Sequence, residues 1–233
     1  MIYWIFVFFL GTIFGSFSHL LVDRNIRQIS IIYPRSHCPN CKHKISNIDL
    51  IPLISFIMLR GKCRNCNYKI SLTYPLFELL GAVLSVLVFR YGITIQSIII
   101  FFSLILCLVI SAIDIKSLYI DMVYIYILMF LGLIYRFFYL SFNIGFLKIV
   151  LIFSFIFLFI YIISKRNIGD GDYFFYLSLF LFIKNENIVE FLFYSIWIGA
   201  FFAIIMAIKR KSTKIMIAFC PYIFLSYLYI INI

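Results

Sequence analysis

Residues 91–114 read YGITIQSIIIFFSLILCLVISAID. The first 23 of them carry no charge, and the run closes on an aspartate. About 20 apolar residues are what an α-helix needs to cross the hydrocarbon core of a bilayer. Only helices and closed barrels satisfy their backbone groups there, so this stretch decides the fold class. Working outward, residues 1–22, 149–164, 191–208 and 215–233 are also uncharged, and 122–140 is interrupted only by Arg136. Two shorter segments, 79–89 and 173–183, reach spanning length only if their flanks are included. The expectation is an all-α polytopic membrane protein of about eight transmembrane helices. Composition agrees. The chain is 65% hydrophobic and 12% charged, whereas charged residues make up about a quarter of an ordinary soluble domain.

The net charge of +11 could suggest nucleic acid, but its distribution follows topology instead. With the N-terminus outside, eight spans leave the segments 23–74, 114–117, 165–172 and 209–214 on the cytoplasmic side. Those segments hold 16 of the 20 Lys and Arg, as the positive-inside rule requires. No nucleic-acid partner is expected. Residues 1–22 have no basic region ahead of them, and Arg24 and Arg27 follow, so they read as a retained first span and not a cleaved signal.

Between the first two spans lies the one long polar stretch. It carries Cys38-Pro39-Asn40-Cys41 and Cys63-Arg64-Asn65-Cys66, two Cys-x-x-Cys pairs separated by 21 residues. Two such knuckles can close a tetrahedral four-thiolate site around Zn2+. Two disulfides or four unrelated thiols are the alternatives, and a reducing cytoplasmic side favours thiolate ligands. Pro34, Pro39, Pro52 and Gly61 make the loop irregular, with too little core to hold itself together without a metal. His19, His37 and His43 lie in or near it and are not expected as ligands, since four thiols already complete the set. The second knuckle is basic enough, with Arg60, Lys62 and Arg64, to lie against anionic lipid headgroups. Cys107 and Cys220, inside predicted spans, are expected to be apolar packing residues. No internal repeat is evident in the chain.

Only nine acidic residues exist. Asp114 ends the third span, and Asp172 closes Gly169-Asp170-Gly171-Asp172 just before the sixth. The topology puts both at one depth on the cytoplasmic face. Two carboxylates held close share a proton, one taking a proton from water and the other polarising a scissile carbonyl. Gly169 and Gly171 are expected to take positive φ and to leave room for a substrate strand beside Asp172. Taken alone, Gly-x-Gly-Asp reads more simply as a loop that starts a helix with Asp as its cap. A same-side aspartate at the end of another span turns the reading towards chemistry. Asp121 is read as a helix cap or a support for the pair. Glu78 is either a counter-ion for the loop's cations or part of a second site.

These residues resemble the type IV prepilin peptidases, the GxGD family of membrane aspartyl proteases. The likeness runs along most of the chain: Gly15-Ser16-Phe17 with Arg24, then Arg35-Ser36-His37-Cys38-Pro39-Asn40-Cys41, then Asp49-Leu50-Ile51-Pro52-Leu53-Ile54-Ser55. It continues through Leu59-Arg60-Gly61-Lys62-Cys63-Arg64-Asn65-Cys66, the Ile70–Leu80 stretch and both aspartate motifs. There are departures. His19 stands where the family usually has Asn, Asp121-Met122 replaces Pro followed by Asp or Asn, and Phe174 replaces a lysine. Ala218-Phe219-Cys220-Pro221 only loosely resembles a Pro-Phe-Gly-Pro segment. None of these removes a carboxylate or a loop thiol.

The resemblance implies three parts: a first transmembrane helix (1–22), a cytoplasmic tetracysteine loop (23–75) and a seven-helix peptidase domain (76–233). It implies Asp114 and Asp172 as the catalytic pair and prepilins or pseudopilins as substrates. Their short basic leader would be cut at the cytoplasmic membrane face. It also implies N-methylation of the new terminus with S-adenosylmethionine, for which the chain has no glycine-rich nucleotide loop. Abundant Ile, Phe, Tyr, Lys and Asn fit an AT-rich genome and competence pseudopilins as substrates. A zinc-stabilised scaffold would need the cysteines but not both aspartates. An ion-coupled transporter would place its acids near the bilayer midplane and not at span ends.

Overall fold

The computed structural model describes residues 1–33, 35–164, 169–210 and 217–232. Pro34, the first half of the segment expected at 165–172, residues 211–214, and the start and last residue of the last predicted span lie outside the described residues. Among the described residues every regular element is helical: α1 Ile2–Ile26, α2 Ile54–Met58, α3 Thr73–Val88, α4 Ile95–Ser117, α5 Met122–Tyr139, α6 Ile144–Ile163, α7 Asp170–Phe180, α8 Asn185–Arg210 and α9 Cys220–Asn232. Six are long and apolar enough to cross a membrane, namely α1, α3 with its 3-10 extension to Tyr91, α4, α5, α6 and α8. The segments expected at 173–183 and 215–233 form shorter helices. α7 has 11 residues and α9 has 13, against the ~20 of a full span. The chain divides into two compact units, Met1–Ser97 and Ile98–Ile233.

In the first unit α1 and α3 run antiparallel along a seam that repeats every four residues, the spacing that keeps side chains on one helix face. Tyr3 donates to the Phe89 carbonyl at 2.6 Å, and Ser85 to the Val7 carbonyl at 2.9 Å. A Cβ on Gly11 or Gly15 would overlap the carbonyl oxygens of Gly81 and Phe77. Small residues spaced four apart let two backbones approach this closely, the usual device where no hydrophobic effect drives helices together.

In the second unit hydrogen bonds between helices fix the elements that carry the site. Ser103 on α4 meets Tyr227 on α9 at 2.7 Å. Tyr176 on α7 meets Ser195 on α8 at 2.6 Å, and Ser226 on α9 donates to the Phe191 carbonyl on α8 at 2.7 Å. Arg136, the lone charge within its predicted span, is 1% exposed. Its guanidinium donates to the carbonyls of Phe180 and Ile183 at 3.0 and 3.1 Å and to Asn185, with its face over the Phe146 ring. It therefore caps the carboxyl end of α7, where unpaired carbonyls favour a cation. Gly132 on the same helix lies against Leu181 and Phe182. The α5–α7 contact so sets the depth of α7, whose first turn holds Asp172.

Candidate active site and metal centre

The four loop thiols converge: the sulfur atoms of Cys38, Cys41, Cys63 and Cys66 all lie within 4.8 Å of one another. Cys38 and Cys66 are 3.7 Å apart, close to the ~3.8 Å edge of a tetrahedron with 2.3 Å Zn–S bonds. The two knuckles have one geometry, displaced by 25 positions in the chain. Cys38 N–H donates to the His43 carbonyl and Lys42 N–H to the Cys38 carbonyl; Cys63 N–H donates to the Tyr68 carbonyl and Asn67 N–H to the Cys63 carbonyl. Lys42 and Asn67 share the left-handed backbone, at φ 59° and 56°, and each knuckle closes on an isolated bridge, His37 with Lys44 and Lys62 with Lys69. The expectation of no internal repeat is corrected: the same offset relates Cys-x-Asn-Cys-x-x-Lys-Ile-Ser at 38–46 and 63–71, so the structural repeat is also one of residue identities.

Hydrogen bonds favour the thiolate at two of the four cysteines, whereas at Cys41, despite the backbone N–H of His43, desolvation and the neighbouring thiols push the thiol up to about 11. The backbone N–H of Tyr68, with the Asn40 side chain, pulls Cys66 down to about 6. The backbone N–H of Cys41 likewise lowers Cys38. Such N–H···S contacts orient and charge thiolate ligands. A four-thiolate set of this size fits Zn2+ among the biological metals. The histidines lie outside the set. His37 bonds the Arg35 carbonyl, and His19 is buried against Tyr74 and Phe77 with its Nε2 3.0 Å from Thr73 Oγ1. Arg64 donates to both Asp49 oxygens, from Nη2 at 2.6 Å and from Nε at 3.0 Å, and thereby holds the Asp49 carboxyl below its usual range.

Glu78, also in the first unit, is 7% exposed and ties the loop to the helix pair. One carboxylate oxygen accepts from Ser16 Oγ at 3.0 Å, the other from the backbone N–H of Leu53 at 2.7 Å. Leu53 precedes α2 with φ of 60°, a costly backbone for a residue with a side chain, and Glu78 holds it there. Glu78 binds loop backbone and not the loop's cations.

The second unit brings Asp114 and Asp172 together. Asp114 ends the buried face of α4 and is 6% exposed, while Asp172 sits half-buried in the first turn of α7. A third residue joins them. Ligand atoms of Asp114, Asp172 and Cys220 all lie within 4.8 Å of one another. Cys220 opens α9, and its backbone N–H donates to Asp114 Oδ2 at 3.0 Å while its thiol donates to Asp172 Oδ1 at 3.5 Å. Cys220 is thus a polar partner of both carboxylates, not the packing residue its apolar surroundings suggested. The signal in the sequence was Pro221, which marks a helix start and so a backbone donor pointing outward. Asp170 is exposed and outside the cluster. Asp121 caps α5 by accepting from Val123 N–H at 3.0 Å.

The expectation of positive φ at the two glycines is corrected. Gly169 is the N-cap of α7 with φ −69°, and Gly171 lies inside the helix. What Gly171 supplies is space, because a Cβ there would stand 2.6 Å from Ile120 Cδ1. Among the described residues, a Cβ on Gly169 would meet only Asp172 Oδ2, at 3.4 Å.

An all-helical, lipid-compatible protein with two aspartates facing each other at helix ends belongs to the class of membrane proteins built for carboxylate-pair chemistry. The family model described as "Bacterial Peptidase A24 N-terminal domain" matches residues 9–91, and that described as "Type IV leader peptidase family" matches residues 99–204. The chain belongs to the type IV leader peptidase family and is a multi-pass bacterial membrane protein. It is 36% identical over 80 residues to the "Prepilin leader peptidase/N-methyltransferase" of Myxococcus xanthus (strain DK1622), covering 34% of this chain and 24% of that one. It is 33% identical over 91 residues to the Bacillus subtilis (strain 168) protein of the same name, covering 39% and 37%. Against the Aeromonas salmonicida (strain A449) protein of that name the figures are 39% over 61 residues, covering 26% and 21%. The chain therefore spans between about a fifth and just over a third of the length of these curated relatives. No solved structure matches it.

Proposed function

We propose that this chain is a membrane aspartyl endopeptidase that removes the short basic leader from prepilins or pseudopilins at the cytoplasmic membrane face, with its N-terminus outside. The observation that carries this reading is the convergence of Asp114 and Asp172, 58 residues apart in sequence and on different helices. The pair holds one proton. The ionised carboxylate takes a proton from water as the water oxygen bonds to the scissile carbonyl carbon. The protonated partner gives its proton to the carbonyl oxygen. As the resulting diol collapses, one of its hydroxyls returns a proton to the second carboxylate, the C–N bond breaks, and the leaving amine takes up the proton held by the first carboxylate, which restores the one-proton pair. Cys220 N–H orients Asp114 throughout. The division into 1–22, 23–75 and 76–233 is kept as the functional one.

Zn2+, when bound, clips the two knuckles together through Cys38, Cys41, Cys63 and Cys66 and takes no part in the cut. Exposed Ile57 and Met58 beside Arg60 and Lys62 suit this loop to a surface of anionic lipid. The relatives' names pair peptidase with N-methyltransferase, and methylation of the freed amine is proposed on that ground. The described residues single out no donor set for S-adenosylmethionine, so no step is derived through it.

The test is co-expression with a prepilin-like substrate, reading leader removal and methylation by mass. Asp114→Asn and Asp172→Asn keep side-chain size and remove titration, so each should abolish cleavage while the protein still accumulates. A scaffold would tolerate both changes. Asp172→Asn given already-cleaved substrate should still methylate it, whereas Cys63→Ser should impair methylation at least as much as cleavage. Full cleavage without the mass of a methylene would show a peptidase alone.

A further inference from the structure

The carboxylate pair does not stand by itself, because Cys220 turns it into a mixed oxygen–sulfur donor set. The separation of Cys220 Sγ from Asp172 Oδ1 is 3.5 Å. A tetrahedral ion with S and O legs of 2.3 and 2.0 Å has an S···O edge of ~3.5 Å. With Asp114 within the same 4.8 Å limit, three ligands surround one point and a fourth position stays open. A second feature points to a polar guest. Ser111, 4% exposed, has a hydroxyl with no hydrogen-bond partner among the described residues. It lies three positions before Asp114, so the two share a face of α4, one turn apart. A buried hydroxyl left without a partner is costly unless something polar reaches it.

We propose that Asp114, Asp172 and Cys220 form an inhibitory Zn2+ site. The thiol excludes hard ions such as Mg2+ and Ca2+, and the small oxygen–sulfur set suits Zn2+. An ion held by both carboxylates displaces the proton they share and occupies the place of the attacking water. The peptidase is off while zinc is bound and recovers when it leaves. The tetracysteine cluster is a separate, four-thiolate site. As regulation the inhibitory site rests on the proposed peptidase reading, whereas the binding itself does not.

The experiment uses the full chain purified in detergent. Equilibrium dialysis against micromolar free Zn2+, read by elemental analysis, should find one more zinc per chain in the wild type than in Cys220→Ala and than in Asp172→Asn. Cys220→Ser keeps a hydroxyl donor and the backbone N–H but loses the soft ligand, and should weaken this zinc roughly tenfold or more. Leader cleavage by the wild type and by Cys220→Ser is then titrated with Zn2+, each expressed relative to its own zinc-free rate. The wild type should be inhibited at concentrations roughly tenfold or more below those needed for Cys220→Ser. Equal zinc counts in wild type, Cys220→Ala and Asp172→Asn overturn the site. Equal inhibition of wild type and Cys220→Ser overturns the switch. A wild type that binds the extra zinc but never cleaves overturns the peptidase reading and leaves the site standing.

Discussion

The tetracysteine cluster and the carboxylate pair each gather their side chains within 4.8 Å, and they do so by opposite means. Each knuckle is local, closed by hydrogen bonds that span five or six residues, and the four thiols of the two converge where one metal ion could link them. The carboxylate pair has no local support. Asp114, Asp172 and Cys220 come from the ends of α4, α7 and α9, and those helices are fixed by Ser103–Tyr227, Tyr176–Ser195 and the Arg136 clamp. A locally built site should fail when its ligands or metal are removed and tolerate change elsewhere. A site assembled from helix ends should also fail through distant packing.

The largest effect is expected where chemistry is removed outright. Asp114→Asn or Asp172→Asn should lower leader cleavage by on the order of 10³-fold or more. Asp170→Asn, at an exposed position outside the cluster, should leave most of it. Mass analysis of co-expressed substrate reads all three. A dead Asp170→Asn beside a live Asp172→Asn would overturn the assignment.

The first region is probed by metal. The purified wild type should retain about one zinc per chain at its four-thiolate site after dialysis that strips weaker ions. Cys38→Ser with Cys41→Ser should lose it, and limited proteolysis should then cut within 35–70 while cleavage of substrate falls less than in the aspartate variants. Protein that carries no zinc and shows two disulfides by thiol counting would break the comparison on this side.

How much of each region was legible follows from the same contrast. Cys38, Cys41, Cys63 and Cys66 announce themselves because ligand spacing within a knuckle is a sequence-local property. The twofold knuckle geometry was legible too, in Cys-x-Asn-Cys-x-x-Lys-Ile-Ser at 38–46 and 63–71, although the left-handed turns fall on unlike residues, Lys42 and Asn67. Asp114 and Asp172 were legible as acids in a chain nearly without them. Cys220 was not, because its role comes from a backbone N–H and a neighbourhood that only helix packing creates. The glycines were misread for a related reason. Glycine is as often kept for close approach as for positive φ, and the need at Gly171 is set by Ile120, 51 residues away. Long uncharged runs gave the spans, but α7 ends at Phe180, where Arg136 takes its carbonyl, and α9 covers only Cys220–Asn232.

Distant packing is probed at Gly171. Gly171→Ala places a Cβ 2.6 Å from Ile120 Cδ1, an overpacking of about 1–3 kcal/mol that must shift the first turn of α7. Cleavage should fall roughly tenfold. Ile120→Ala in the same chain should restore part of it, the signature of a coupled pair. Gly169→Ala, with its nearest neighbour at 3.4 Å, should do less. Additive effects of Gly171→Ala and Ile120→Ala would show that this contact does not position Asp172.

The smallest expected effect tests whether the first region is as local as its knuckles suggest. Glu78 joins α3 to the loop through Leu53 N–H and to α1 through Ser16 Oγ. Glu78→Gln keeps the shape and one accepting oxygen, but its amide nitrogen cannot accept the second hydrogen bond. The loss should be about 1 kcal/mol. Since Leu53 holds a left-handed backbone that the bond helps to maintain, the released strain should appear first as local opening at 48–58. Amide exchange there should quicken about fivefold, the factor such an energy implies. Zinc content should stay at the wild-type value, because no knuckle hydrogen bond involves Glu78. If Glu78→Gln instead emptied the metal site, the tetracysteine cluster would depend on helix packing as the carboxylate pair does, and the contrast between the two regions would fall.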